Sequence, residues 1–329
     1  MDLSIIIVSY NEAHYIERAV NSCLKQDYKG TYEIIIGDDG SNDGSVDLII
    51  ELSRKHSQIR YFITEDRNDG VFIPSVRASN IIKKAMRISK GKYICVLSAD
   101  DFYLAKDQFS NAISFLERDK KNIYSASFTD YARVYSDGRI EEYVLKTPSI
   151  RPLLIAKMYV HISGFVFRRQ VINFLFDRWC SDVGLFYSIC SCGRIKHIYD
   201  IGFGYFQRAD SITHKENFLD FCILQILFLQ DVFNKGKYLI PSLSRHYIEL
   251  VTVFTNREQL KNEEYTRILI NSQKYNHDFI NAILKYNDSS LIKKIKILGI
   301  LVTAWVSSKF FALYREIMIA VYKRWRNVD

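Results

Sequence analysis

The chain has 329 residues, 48% of them hydrophobic and 25% charged. That is the balance of a globular protein with a sizeable core, in one large domain or two smaller ones, and it excludes a low-complexity chain. The net charge of +8 favours anionic partners: nucleotides, phospholipids or polyphosphates. The six cysteines, Cys23, Cys95, Cys180, Cys190, Cys192 and Cys222, include no CxxC pair, which argues against a zinc site. The first residues, MDLSIIIVSYNE, carry an apolar run too short for export behind an acidic start. The expectation is therefore a cytoplasmic protein with reduced thiols.

Residues 4–9, SIIIVS, read as a strand covered on both faces. It stops at Tyr10-Asn11-Glu12, and Ile16, Ala19, Val20, Cys23 and Leu24 then follow helical spacing. Residues 33–37, EIIIG, are a second strand, ending in DDGSNDGS. The glycines there permit a tight turn, and Asn42 or Asp43 can cap a helix over residues 45–55. Residues 59–64 are a strand, 72–89 a helix closed by Gly91, and 93–97, YICVL, another buried strand. This alternation predicts a parallel sheet with crossover helices. Residues 107–120 read as a helix, and 124–128 and 132–135 as strands, with a hairpin turn at 136–139. An antiparallel part is thus expected from about residue 125. Residues 161–168 read as a strand in which Gly164 marks close backbone approach, 181–191 as a helix with an acidic first turn, and 199–206 as a strand.

From Lys215 onward glycine nearly vanishes, and leucine, isoleucine and lysine dominate. Residues 218–234, 243–256 and 262–286 read as amphipathic helices, so the expected division is a domain over 1–215 and a helical region over 216–329. Between Lys296 and Lys309 lie 12 uncharged residues, short of the ~20 that span a bilayer. From Lys285 on there are nine Lys/Arg against three Asp/Glu, together with Trp305, Phe310, Phe311 and Trp325. That pattern suits a helix lying in an anionic membrane interface, or else one docked on the protein's own core or a dimer seam. Because the basic excess gathers there, a membrane surface is expected rather than nucleic acid.

The chemistry gathers where strands end. Asp38-Asp39 follow one strand and Asp100-Asp101 another, and in a parallel sheet both pairs share the edge at which open α/β sheets bind ligands. Carboxylate oxygens suit Mg²⁺ or Mn²⁺, and those ions suit diphosphates. A solvated turn with Asp100 capping the next helix is the plainer alternative. No GxGxxG follows any strand, which speaks against a dinucleotide-dependent oxidoreductase.

The run SIIIVSYNEAHYIERAVNSCLKQDY…YEIIIGDDGSNDGS with GKYICVLSADD resembles the family 2 glycosyltransferases of GT-A fold, over residues 2–215. The resemblance implies a mostly parallel Rossmann-like sheet with an antiparallel extension. It also implies inverting transfer of a sugar from a nucleotide-diphosphate donor to a hydroxyl of a lipid-linked or glycan acceptor. By the same resemblance Ser9, Tyr10 and Glu12 border the nucleobase and ribose, and Asp39 accepts a hydrogen bond from the base, favouring UDP. Arg77 faces the diphosphate, and Asp100 and Asp101 hold Mn²⁺ or Mg²⁺, Ser98 standing where the metal motif usually has its first acid. Asp182 is the general base, with Asp177 and Asp210 as alternatives; Ser181 replaces the acid that often precedes it. Arg208 clamps the diphosphate, His214 is a further candidate metal ligand, and His161 opens the strand facing the acceptor. The replacements at Ser98 and Ser181 leave a non-catalytic sugar- or lipid-binding protein as an alternative, and a nucleotidyltransferase is the other.

Overall fold

A computed structural model describes residues 1–64, 74–144, 161–172 and 182–208. The chain divides into two compact units, Met1–Phe221 and Cys222–Asp329. The second lies outside the described residues, as do the helices expected beyond residue 215, the basic terminal segment, and Asp177, Asp210 and His214.

The first unit is built on one mixed sheet. Strands β1 (Leu3–Ser9), β2 (Tyr32–Asp38), β3 (Ile59–Ile63) and β4 (Tyr93–Ser98) are parallel and alternate with helices α1 (Ile16–Leu24), α2 (Ser45–Lys55) and α3 (Pro74–Ile88). β1 lies between β2 and β4, and its core residues Ile5, Ile6 and Ile7 are fully buried. Each such side chain contributes roughly 1.5–3 kcal/mol through burial. α1 closes one face by burying Ile16, Ala19, Val20 and Cys23, the i, i+3, i+4, i+7 stripe of its sequence. α2 starts after Gly44, whose φ of 96° is left-handed, and Asp43 accepts from the Ser45 amide at 3.0 Å.

The sheet continues through β5 (Phe102–Tyr103), helix α4 (Gln108–Arg118), β6 (Tyr124–Tyr135), β7 (Ile140–Tyr143), β8 (Phe165–Arg168), α5 (Asp182–Cys192) and β9 (Arg194–Gln207). The strand order is β3-β2-β1-β4-β8-β6-β9-β5, with β7 paired to β6. The second half departs from expectation in four ways. β6 is a single strand. β9 starts earlier, at Arg194, and runs parallel to β6 along its length; helix α5, between β8 and β9, permits that parallel return. β5 is an added two-residue strand, antiparallel to β9. Finally, residues 162–164 form a 3-10 turn, not strand: the His161 imidazole Nδ1 accepts from the Ser163 amide and caps it.

Two glycines mark close approaches. A Cβ on Gly164 would lie 2.9 Å from the Thr129 carbonyl oxygen, and one on Gly91 would lie 2.4 Å from the Ser4 amide. Gly91 is therefore a contact glycine against β1, not a left-handed helix stop, since α3 already ends at Ile88. Behind it, Arg169 donates to the Gly91 and Ser89 carbonyls, and Arg168 to the Leu116 and Tyr124 carbonyls. These arginines satisfy carbonyls left unpaired around the ends of α3 and α4.

Candidate functional site

Register places the carboxyl ends of the central strands side by side: Ser9 pairs with Asp38, and Val8 with Ser98. The two loops that leave β1 and β2 are laced together. Asn11, at φ 55°, donates its amide to the Ser41 hydroxyl at 2.8 Å, and its side-chain oxygen accepts from the Asn42 amide at 3.0 Å. The Glu12 amide donates to the Ser45 hydroxyl at 2.8 Å, and the Ala13 amide to Asp43 at 3.0 Å. Asp38 is fully buried and accepts from the Ser41 amide and hydroxyl at 2.8 and 2.7 Å. Its carboxylate therefore shapes the turn.

Asp39 stands one residue further out. Its amide donates to the Ser9 carbonyl at 3.0 Å. The Arg77 guanidinium, on α3, grips both of its oxygens, Nε to Oδ2 at 2.5 Å and Nη2 to Oδ1 at 2.8 Å. Arg77, expected to face the diphosphate, is set on Asp39 in the structure. Ser9 lies beside Asp39 at the end of β1. Its hydroxyl is enclosed and meets no partner among the described residues, so Ser9 reaches the rim through its carbonyl alone. Tyr10 is exposed beside it.

A second ionic group lies across the ends of β1, β4 and β9. Arg208 donates from Nη1 to Glu12 Oε2 at 2.8 Å and from Nη2 to Glu12 Oε1, a two-pronged pair of the strong kind. Its Nε lies 3.4 Å from Asp100 Oδ2, and the guanidinium sits 5.1 Å from the Tyr15 ring centre. Residues far apart in the chain thus meet as a Glu12–Arg208–Asp100 bridge. Arg18 of α1, which sequence spacing did not single out, supports it from below. It donates to the Asp100 carbonyl at 2.7 Å and lies over the rings of Phe102 and Phe206 at 4.3 and 4.5 Å. Burial lowers its pKa, partly offset by the charges of Asp101 and Asp100.

The two adjacent acids after β4 have opposite environments. Asp100 lies at the rim with a side chain 16% exposed, whereas Asp101 is fully buried. Asp101 Oδ2 accepts from the Ser163 hydroxyl at 2.8 Å, and Oδ1 from the Phe206 amide at 3.1 Å. Burial and the neighbouring Asp100 charge push its carboxyl well above the usual carboxylate range. His161 Nδ1 is 3.6 Å from Asp101 Oδ2, and burial lowers the imidazole pKa to about 4, so this ring is neutral near pH 7. The residues fit a hard divalent ion in part. Mg²⁺ and Mn²⁺ are commonly held by one or two carboxylates together with phosphate oxygens. Asp100 at the rim suits that; Asp101, expected to be the second ligand, lies enclosed with each oxygen accepting from a protein donor. Among the described residues no group of three or more His, Cys, Asp or Glu side chains is gathered for a cation. Asp182 opens α5, the helix start expected for it.

A family model described as Glycosyl transferase family 2 matches residues 4–176. An uncharacterized glycosyltransferase of Mycoplasma genitalium is 33% identical over 167 residues, 47% of this chain and 52% of that protein. The chondroitin synthase of Pasteurella multocida is 25% identical over 303 residues, 90% of this chain but 27% of that enzyme. The chain spans about half the length of the first curated relatives it matches. Among solved structures, S. aureus TarS in complex with UDP-GlcNAc superposes with a TM-score of 0.58 at 18% identity, covering 76% of this chain and 72% of that one. At that identity the likeness is one of fold.

Proposed function

Because the chain belongs to glycosyl transferase family 2, we propose that it transfers a sugar, with inversion, from a nucleotide-diphosphate donor to a hydroxyl of a glycan or lipid-linked acceptor. The observation that carries this reading is the rim of acids at the carboxyl ends of β1, β2 and β4. Glu12, Asp39 and Asp100 are held there by Arg208 and Arg77. Asp39 suits the imide N–H of uracil, which only an acceptor group can meet, and UDP-GlcNAc in TarS supports a uridine donor. Glu12 and Tyr10 border the ribose. Arg208, which bridges Glu12 and Asp100, would turn toward diphosphate oxygens the N–H groups that Glu12 does not take. Asp100 would hold Mn²⁺ or Mg²⁺ together with the diphosphate. Such an ion supplies Lewis-acid neutralisation of the leaving group.

Asp182 is the proposed general base. As the acceptor oxygen bonds to the anomeric carbon, the hydroxyl proton passes to Asp182, and the diphosphate departs with the electron pair of the broken C–O bond. The match to chondroitin synthase supports an acceptor in polysaccharide synthesis. The basic, aromatic sequence of residues 291–326 supports peripheral attachment to an anionic membrane on its cytoplasmic face, and the loss of glycine from Lys215 onward supports a domain division near residue 215. Among the described residues no helix is long and apolar enough to cross a membrane.

Calorimetric titration of UDP and GDP, each with Mn²⁺ and with EDTA, tests the donor site. UDP should bind more tightly than GDP, and more tightly with Mn²⁺; Asp100→Asn should abolish the Mn²⁺ effect. Absence of nucleotide binding under all four conditions would overturn the reading and favour a non-catalytic protein.

A further inference from the structure

We propose that Asp101 is a positioning residue: its buried carboxylate locks the Asp100 turn to the end of β9, and so sets the rim acid against Arg208. The inference rests on the reading of that rim as a nucleotide–cation site, and it gives the second acid of the pair a task of its own.

The geometry is that of a ladder continued by a side chain. β5 pairs with β9 through Phe102↔Gly204 and Tyr103↔Phe203. One residue earlier, strand pairing has stopped, yet the Phe206 amide still needs an acceptor inside the protein. Asp101 Oδ1 supplies it at 3.1 Å. Its other oxygen accepts from Ser163 in the 3-10 turn before β8 at 2.8 Å. One carboxylate thereby joins three segments, separated from it by 62 and 105 residues. The next rung outward is Asp100 against Arg208, two residues beyond Phe206, at 3.4 Å. Arg18 fixes the same rung from the opposite side, donating to the Asp100 carbonyl between the rings of Phe102 and Phe206. Leaving the Phe206 amide and the Ser163 hydroxyl without an acceptor would be costly, since buried donors lose their water as well as their partner. An apolar residue cannot fill position 101 for that reason. Zero exposure sets Asp101 apart from the rim, where Asp100 stands as the candidate ligand.

The test compares Asp101→Ala, Asp101→Asn and Ser163→Ala. Two readouts are used: UDP titration with and without Mn²⁺, and amide hydrogen exchange on the full chain without nucleotide. Loss of a residue that orients a ligand typically costs about 10–100-fold in affinity. Asp101→Ala should therefore weaken Mn²⁺-dependent UDP binding by at least about tenfold. Asp101→Asn should recover most of that loss and keep the response to Mn²⁺, because its amide oxygen still accepts from Phe206 and its amide nitrogen can donate to the Ser163 oxygen. Ser163→Ala should fall between. Exchange should rise together over residues 98–103 and 205–208 in Asp101→Ala, and stay unchanged over residues 3–9.

Two results overturn the proposal. In one, Asp101→Asn is as weak as Asp101→Ala with the Mn²⁺ response gone and Ser163→Ala silent, the pattern of a direct ligand. In the other, exchange over 98–103 and 205–208 does not change. Should Asp101→Ala fail to fold, Asp101→Asn and Ser163→Ala still separate the two roles. If the wild type binds no nucleotide, the donor reading fails, and the exchange experiment alone decides whether the clamp exists.

Discussion

Replacing Asp39 with Asn should change which base the protein prefers as well as how tightly it binds. Asp39 is nearly enclosed, with its amide on the Ser9 carbonyl and both oxygens on Arg77 at 2.5 and 2.8 Å. An ionised carboxylate has about four lone-pair sites. Arg77 engages both oxygens, and a carboxylate so held can accept a uracil N–H in addition. A hydrogen bond to a charged group is worth roughly 1.5–3 kcal/mol, so UDP affinity should fall by about 10- to 150-fold. Arg77 holds both oxygens, so an Asn keeps its oxygen on one Arg77 nitrogen while its amide N–H₂ replaces the other oxygen and presents a donor where the ligand met an acceptor. That donor meets the N3 lone pair of cytosine. CDP should gain on UDP, and the UDP-to-CDP affinity ratio should fall by more than the loss in UDP binding alone. Calorimetry with both nucleotides in Mn²⁺ measures this. The reasoning is refuted if Asp39→Asn leaves the ratio where it was in the wild type.

Glu12 and Arg208 are both largely buried, at 9% and 13% side-chain exposure, so removing Arg208 should cost about 3 kcal/mol of stability by taking the cation away from a buried carboxylate. A double-mutant cycle of Arg208→Met and Glu12→Gln in urea should show a coupling of about 1–3 kcal/mol; a coupling near zero would mean the pair does not form in solution. Asp182→Asn should lower turnover by about 10²–10⁴-fold with UDP affinity kept; near-wild-type turnover would remove Asp182 from the mechanism. His161 is held neutral, its pKa lowered from 6.5 to about 4 by burial. Between those values the unfolded chain binds more protons than the folded one, so its contribution to stability falls as pH drops through that window. Wild type should therefore lose more stability than His161→Asn between pH 7 and pH 5, by at most about 2 kcal/mol because the ring keeps 26% of its side chain exposed; equal losses would contradict the burial argument.

Much of the first half of this fold is legible in the chain. SIIIVS, EIIIG and YICVL are runs that only a strand buried on both faces tolerates, and each ends in polar residues that register brings to one edge. The stripe of Ile16, Ala19, Val20 and Cys23 is equally plain. The second half is less so, because apolar alternation does not encode direction: β9 reads as a strand whether it joins β6 parallel or antiparallel. The adjacent acids show a different limit. Asp100 and Asp101 are the same residue type, but the turn places one at the rim and buries the other 3.1 Å from the Phe206 amide, a partner 105 residues away. Arg18 reads as an ordinary charge on a helix until Phe102 and Phe206 come together around it. Glu12 and Arg208, 196 residues apart, become a pair only through the crossing of β9.

The most direct test of the central claim is turnover. Incubating the protein with UDP-sugars and Mn²⁺ should release UDP, and magnetic resonance of the freed or transferred sugar should show the opposite anomeric configuration to the donor. Asp100→Asn and Asp182→Asn should both be inactive, the first for want of Mn²⁺-dependent UDP binding, the second despite retaining it. Retained configuration would contradict inversion. No UDP release from any UDP-sugar, together with no nucleotide binding, would contradict the account as a whole.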